Sequence, residues 1–283
     1  MGNQFSLAHL TVIGCAPPEM TRIAARAGYD FVSFRFIPMG IAGEHVYSPT
    51  DKQMVRQTKQ ALAETGVRVL DLELARIIAD NDPKDYLPAM EVAAEMGARH
   101  VISSAWTTDR TNRDFIVERY GEICDLAKPF GLTVDLEFPS FSRLASLQEA
   151  VDIVRAAERE NCGILVDTLY VHFSQLGLDK LVALPREWTH FVHICDTAPE
   201  IPTTREGMIH IARDDRLYLG EGCIDFASIF ECLPLVPYSI ELPNLKRVEE
   251  LGYEGHAKRC LDTAKQYIEF HSAPKPAARR HAI

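Results

Sequence analysis

Eight short apolar runs that alternate with amphipathic helical runs predict an α/β protein, a (β/α)8 TIM barrel folded as a single domain. Two further observations agree. A chain of 283 residues has room for such a barrel, which takes about 250 residues, and for longer loops. An open doubly wound sheet would want a G-x-G-x-x-G turn after an early strand, and none occurs. No linker-like stretch divides residues 1–272, which are read as the barrel domain, whereas 273–283 (APKPAARRHAI) reads as a Pro/Ala/Arg-rich surface tail.

The first run, SLAHLTV (6–12), leads into PPEMTRIAARAG, a helix with proline at its start and Gly28 just past its end. FVSFRF (31–36), VRVLDLEL (67–74) and RHVISSAW (99–106) supply strands two to four. The helix RDFIVERYGEICDLAKPFG precedes LTVDLEF (132–138), and SLQEAVDIVRAAERE precedes GILVDTL (163–169). HFVHICD (190–196) and YSIEL (238–242) complete the set, and GHAKRCLDTAKQYIEF is the closing helix.

Composition narrows the partners. A formal charge of −10 argues against general affinity for nucleic acid or anionic membrane. No apolar run approaches the roughly 20 residues that span a bilayer. The seven cysteines are scattered, odd in number and without a C-x-x-C pair, which reads as reduced thiols in a cytoplasmic protein. No signal peptide precedes the first strand. The start MGNQFS fits the loose myristoylation pattern, one short enough to recur by chance. The expected partner is a small-molecule substrate, with a homo-oligomer left open.

Strand five carries the first functional signal. In LTVDLEFPS, alternation puts Thr133, Asp135 and Glu137 on one face and Val134, Leu136 and Phe138 on the other. An ionised carboxylate taken out of water costs several kcal/mol unless it is paired or binds a cation. In barrels of this type the working residues project from the C-terminal strand ends. Glu137 closes strand five and Asp167 strand six; His193 lies near the end of strand seven and Glu241 near the end of strand eight. Singly, each has a bland reading as a helix cap or a core histidine. Together, three carboxylates and an imidazole at one mouth make an O₃N set for one divalent metal: Mn²⁺ first, with Mg²⁺, Co²⁺ or Zn²⁺ as alternatives.

This set, with HICD and the later RLYLGEGCID (216–225), resembles the xylose-isomerase-like TIM barrels over about residues 5–270. That superfamily includes sugar isomerases and epimerases, ketoinositol and 3-dehydroshikimate dehydratases, and apurinic endonucleases. For the sugar-active branch the resemblance implies one metal on Glu137, Asp167, His193 and Glu241. It also implies a ketose or related α-hydroxy carbonyl substrate, with both glutamates moving protons on either side of an enediolate. The residues fit that chemistry independently, because abstraction next to a carbonyl needs a base and a cation for the developing oxyanion. Return of the proton to the other face of the same carbon is epimerisation, and to the neighbouring carbon isomerisation. Loss of a β-hydroxyl would make the same site a dehydratase of a cyclic hydroxy ketone, which additionally needs a placed acid.

One position departs from the family. Many sugar-active relatives carry a histidine three residues after the strand-six Asp; here that position is Tyr170, with His172 two residues on. Further substrate-binding candidates are Arg35 and Glu73, which equally make a structural pair, and Trp106 as an apolar wall. Asp196, Arg213 and Arg216 join them from the long segment 196–222, read as a lid in which an arginine reaches over the metal. His9, His190 and His210 read as structural. An apurinic endonuclease would need extra histidines where Arg35 and Trp106 stand, and an Asp-x-His where Asp215 is followed by Arg216 and Leu217. A barrel without chemistry, serving only to bind, is the remaining alternative.

Overall fold

The computed structural model describes residues 3–40, 44–107 and 113–272; the expected tail at 273–283 and the first two residues of MGNQFS lie outside them. Eight parallel strands close into a barrel: β1 Phe5–Leu7, β2 Phe31–Arg35, β3 Arg68–Ile77, β4 His100–Ala105, β5 Thr133–Glu137, β6 Cys162–Asp167, β7 Val192–Ile194 and β8 Tyr238–Ile240. Each pairs with the next, and β8 returns to β1. Local chemistry sets helix ends, although Leu147–Ala157 stops three residues short of the run SLQEAVDIVRAAERE. Pro17–Ala27 ends on Gly28 at φ 95°, a left-handed conformation that glycine adopts without strain. Leu147–Ala157 starts from Ser146, whose side chain accepts from the Glu149 amide. Among the described residues no helix is long and apolar enough to cross a membrane, and all seven cysteines are free thiols.

Strand alternation sorts the side chains as expected. Val134, Leu136, Val166, Val192 and Ile240 point outward, fully buried in the apolar core under the helices. The inward face is layered. At the mouth stand Glu137, Asp167, His193 and Glu241. Beneath them lies a separate apolar cluster that includes Phe31, Leu70, Ile102, Leu165 and Phe191. At the floor, His190 Nδ1 meets Asp135 Oδ1 at 2.7 Å, Thr133 Oγ1 donates to Asp135 Oδ2 at 3.1 Å, and His100 Nδ1 meets Thr133 Oγ1 at 2.7 Å. A Cβ on Gly163 would fall 2.3 Å from Asp135 Oδ1, so the floor needs glycine there. The two acids of strand five therefore serve opposite ends of the barrel, with the Phe191 layer between them.

The strands differ from the apolar runs at their ends. β1 stops at Leu7 because Thr11 turns back over β8: its hydroxyl donates to Ile240 O at 2.7 Å and accepts from Leu242 N at 2.9 Å. His9–Val12 is accordingly a 3₁₀ turn. β3 runs on to Ile77 and pairs with β4 as far as Ala105, with a register shift. The closing helix, Leu245–Ser272, is interrupted at Gly252 (φ 69°, ψ 170°). The segment 196–222 is not an open loop: it holds the helix Arg205–Asp214 and an antiparallel bridge between Asp196 and Leu217.

The floor network gives a pH prediction. Burial pulls the His190 imidazole down, but the hydrogen bond and charge of Asp135 outweigh it, so its pKa lies above 6.5. A raised folded-state pKa contributes stability below the unfolded value and loses it as pH rises through the folded one. His190→Gln is expected to lower the melting temperature by roughly 2–5 °C at pH 6, for a charge-assisted bond of about 1–2 kcal/mol, and by less at pH 9. Melting curves across that range check it; a pH-independent difference would remove the charged pair.

Candidate metal centre

Glu137, Asp167, His193 and Glu241 come from four consecutive strands, and one donor atom of each lies within 4.8 Å of all the others. All four are buried, none more than 7 % exposed. Their positions follow from the register: Asp167 lies opposite His193 across β6 and β7, Glu137 ends β5, and Glu241 directly follows β8. His193 Nδ1 is 3.6 Å from Glu137 Oε1 and 3.4 Å from Glu241 Oε2.

The electrostatics of this layer call for a cation. Burial, the Glu241 charge and the Asp167 charge push the Glu137 carboxyl up to about 7 against the pull of the nearby His193 imidazole. Burial likewise raises Asp167, although Arg216 opposes it. Burial would lower His193, but Glu241 and Glu137 hold it well above its ordinary value. Glu241 goes the other way: burial raises it, and the His193 and Arg216 charges bring it well below the usual carboxylate range. Both His193 ring nitrogens and Glu137 Oε1 are buried without a hydrogen-bond partner. These unpartnered atoms, at the point where three carboxylates and an imidazole converge, fit a divalent cation.

Neighbouring groups hold these four side chains in position. Asp167 Oδ1 caps the helix Thr168–Phe173 by accepting from Leu169 N at 2.8 Å, so the bland reading of a strand-end Asp is also true. Its Oδ2 accepts from Arg216 Nη1 at 2.8 Å, and Arg216 Nη2 reaches Glu241 Oε2 at 2.8 Å. Arg216 also donates to Ala212 O and Glu241 O, and is 1 % exposed. It does not reach over the site as a lid arginine would: its hydrogen-bonding edges are spent on the ligands and the backbone, and it braces the carboxylates from the side.

A cavity of about 210 Å³ opens above the layer. Arg35, Trp106, Tyr170, Arg213 and Arg216 line it, together with Glu137 and Glu241. Trp106 Nε1 is anchored on Ser104 Oγ at 2.6 Å, and Tyr170 packs edge-on to Phe141. Burial first, and then the Glu137 charge, keeps the Tyr170 hydroxyl protonated, so it offers a neutral donor. Glu73 is paired with Arg35 (2.7 and 3.0 Å) and stands outside the lining, so the structural reading of that pair is the one formed.

Asp196 also lies away from the cavity. Its two oxygens accept from the amides of Thr197, Gly220, Gly222 and Ile224 at 2.9–3.1 Å. That carboxylate folds the L-G-E-G turn, where Gly220 has φ +90° and a Cβ on Gly222 would meet Thr197 O at 2.1 Å. His172 faces a different cleft beside Cys223, so it does not replace the histidine absent at Tyr170. His9 is neutral, lowered to about 4 by burial, with Cys15 O and the Arg35 amide as its partners. Strand reasoning missed the apolar wall of Leu10, Ile13, Met39, Leu74, Phe141 and Leu245. Half of these, Ile13, Met39 and Phe141, come from loops, where no periodicity marks a side chain as cavity-facing.

Comparison with known proteins places this geometry. A profile of the xylose isomerase-like TIM barrel family matches residues 21–263. The chain belongs to that family. A protein named inosose isomerase from Bacillus velezensis is 23 % identical over 192 residues, 65 % of this chain and 66 % of that protein, a little under two thirds of its length. A ketose 3-epimerase from Arthrobacter globiformis is 26 % identical over 264 residues, covering 77 % of this chain and 84 % of the relative. Among solved structures, one described as IolI protein with a binding zinc atom superposes with a TM-score of 0.77 at 17 % identity, over 96 % of this chain and all of the other, a likeness of fold.

Protein purified without chelator is expected to carry about one divalent ion per chain, and chelation to lower its melting temperature by mass action. Asp167→Ala and His193→Ala should each empty the site. Elemental analysis checks this; full occupancy in both variants would place the ion elsewhere.

Proposed function

We propose that the chain is a divalent-metal-dependent isomerase or epimerase that acts on a ketose or related α-hydroxy carbonyl compound by proton transfer through an enediolate. One observation carries the reading: of the four converging side chains, Glu137 and Glu241 line the cavity, while Asp167 and His193 do not. The two groups able to exchange protons with a substrate are thus the two that touch it. When bound, a divalent ion, with Mn²⁺ proposed first, would act as a Lewis acid for adjacent carbonyl and hydroxyl oxygens.

The chain's own residues supply the rest. Glu241, fixed by Arg216 on one side and facing His193 on the other, presents a carboxylate in a defined orientation. Glu137 faces it across His193, so a flat enediolate between them meets one carboxylate on each face. One removes the proton from carbon and the other returns it, at the same carbon for epimerisation or at its neighbour for isomerisation. Trp106, Phe141 and Tyr170 form a wall beside the two carboxylates against which the carbon face of the substrate can pack.

The names of the relatives, isomerase and epimerase, support this reading over dehydration, which needs a further acid for the departing hydroxide. An endonuclease reading lacks support where Arg35 is paired with Glu73 and Trp106 forms the wall.

Glu137→Gln and Glu241→Gln keep an oxygen donor and lose the proton acceptor. Each is expected to lower kcat by about 10²–10⁴-fold, with metal retained. Turnover in D₂O, followed by proton NMR, should place deuterium at the carbon next to the carbonyl. A product that keeps all its original hydrogen there would mean a hydride shift and exclude the enediolate.

A further inference from the structure

From the part of the cavity wall that carries Arg213 and Trp106 we infer that the substrate is a compact α-hydroxy ketone bearing a carboxylate at the end remote from the carbonyl, and that Arg213 binds that carboxylate. This deepens the isomerase/epimerase reading and rests on it for the seating of the carbonyl end.

The reason is an imbalance among the charged groups around the cavity. Arg35 gives two bonds to Glu73, and Arg216 is saturated by Asp167, Glu241 and the backbone. Glu44 turns back onto the Met39 and Gly40 amides at 2.8 Å each, and Asp214 lies 3.5 Å from His210 Nδ1. Arg213 lines the same cavity, half-buried in the last turn of the helix Arg205–Asp214, yet among the described residues no hydrogen bond or ion pair is made to its guanidinium. Its contact is with the face of Trp106, 6.0 Å from Cζ to the ring centroid. Burial, followed by the Arg35 charge, pulls this guanidinium below its ordinary value, the sign of a cation short of a counter-charge.

A half-buried guanidinium with free N–H groups is a bidentate donor site for a planar anion. The single cation, with Asp214 beside it, matches a monoanionic carboxylate better than a phosphate dianion. Leu10, Met39, Leu74, Trp106 and Phe141 line the cavity, so the carbon skeleton of the substrate packs against them. At about 210 Å³ the cavity is below the roughly 300 Å³ at which drug-sized pockets begin, so the ligand is compact.

The test uses matched pairs that differ only at the terminal carbon: D-fructuronate against D-fructose, and D-tagaturonate against D-tagatose. Isothermal titration of the Mn²⁺-loaded full chain is expected to give a Kd at least about tenfold lower for a hexuronate than for its ketose, the ratio of one charge-assisted contact. Arg213→Met, which keeps the stem over Trp106, should bring that ratio to within about twofold, with the melting temperature unchanged. Arg213→Lys, which keeps a point charge, should retain part of the preference.

Equal affinities, a preference that survives in Arg213→Met, or no hexuronate binding at millimolar concentration would overturn the inference. Deuterium exchange on the same four compounds separates the two readings. Exchange into a neutral ketose without any charge preference removes the carboxylate site alone. A hexuronate preference lost in Arg213→Met, without exchange into any compound, keeps the site and removes the isomerase/epimerase reading.

Discussion

Three carboxylates and an imidazole packed into one buried layer repel and orphan one another unless a positive charge joins them, and much of the surrounding structure answers that constraint. Arg216, fully enclosed, spends its guanidinium on Asp167 and Glu241 and so prevents two of the acids from rotating away. The Phe191 layer beneath separates them from the floor acid, Asp135, which has partners of its own in His190 and Thr133. Removing one member of such a buried set leaves the others uncompensated, which costs more than the set contributes when whole. The site is therefore a unit, and its four strands are coupled by charge as well as by hydrogen bonds.

A second constraint works at longer range. Asp196, at the end of strand seven, gathers the amides of the L-G-E-G turn, and the bridge from Asp196 to Leu217 brings Arg216 against the ligands. A segment of 27 residues, 196–222, is thereby folded back onto the barrel instead of standing free, and its helix delivers Arg213 to the cavity. Loop, ligand brace and cavity wall are one construction.

This explains what the sequence could and could not disclose. The convergence of Glu137, Asp167, His193 and Glu241 is legible because strand alternation and the C-terminal ends of successive strands suffice to align them. Asp196 is not, because its role is set by amides 24 to 28 residues later, a tertiary relation that no local pattern carries. Arg216 reads as an exposed lid residue from its loop, and only the packing shows it turned inward. The floor triad of His100, Asp135 and His190 depends on the register of three strands. The ends of β1, β7 and β8 were overestimated because apolar residues also cover the strand ends, as Val12 does from its 3₁₀ turn.

The central claim is that one cation completes the layer at the mouth. Anomalous diffraction from crystals of the metal-loaded protein, collected on either side of the Mn absorption edge, tests it most directly. The account predicts one peak, bounded by Glu137, Asp167, His193 and Glu241, with Arg216 still bonded to Asp167 and Glu241. A layer without a peak in metal-replete crystals, or a peak at His100, Asp135 and His190 instead, would contradict it.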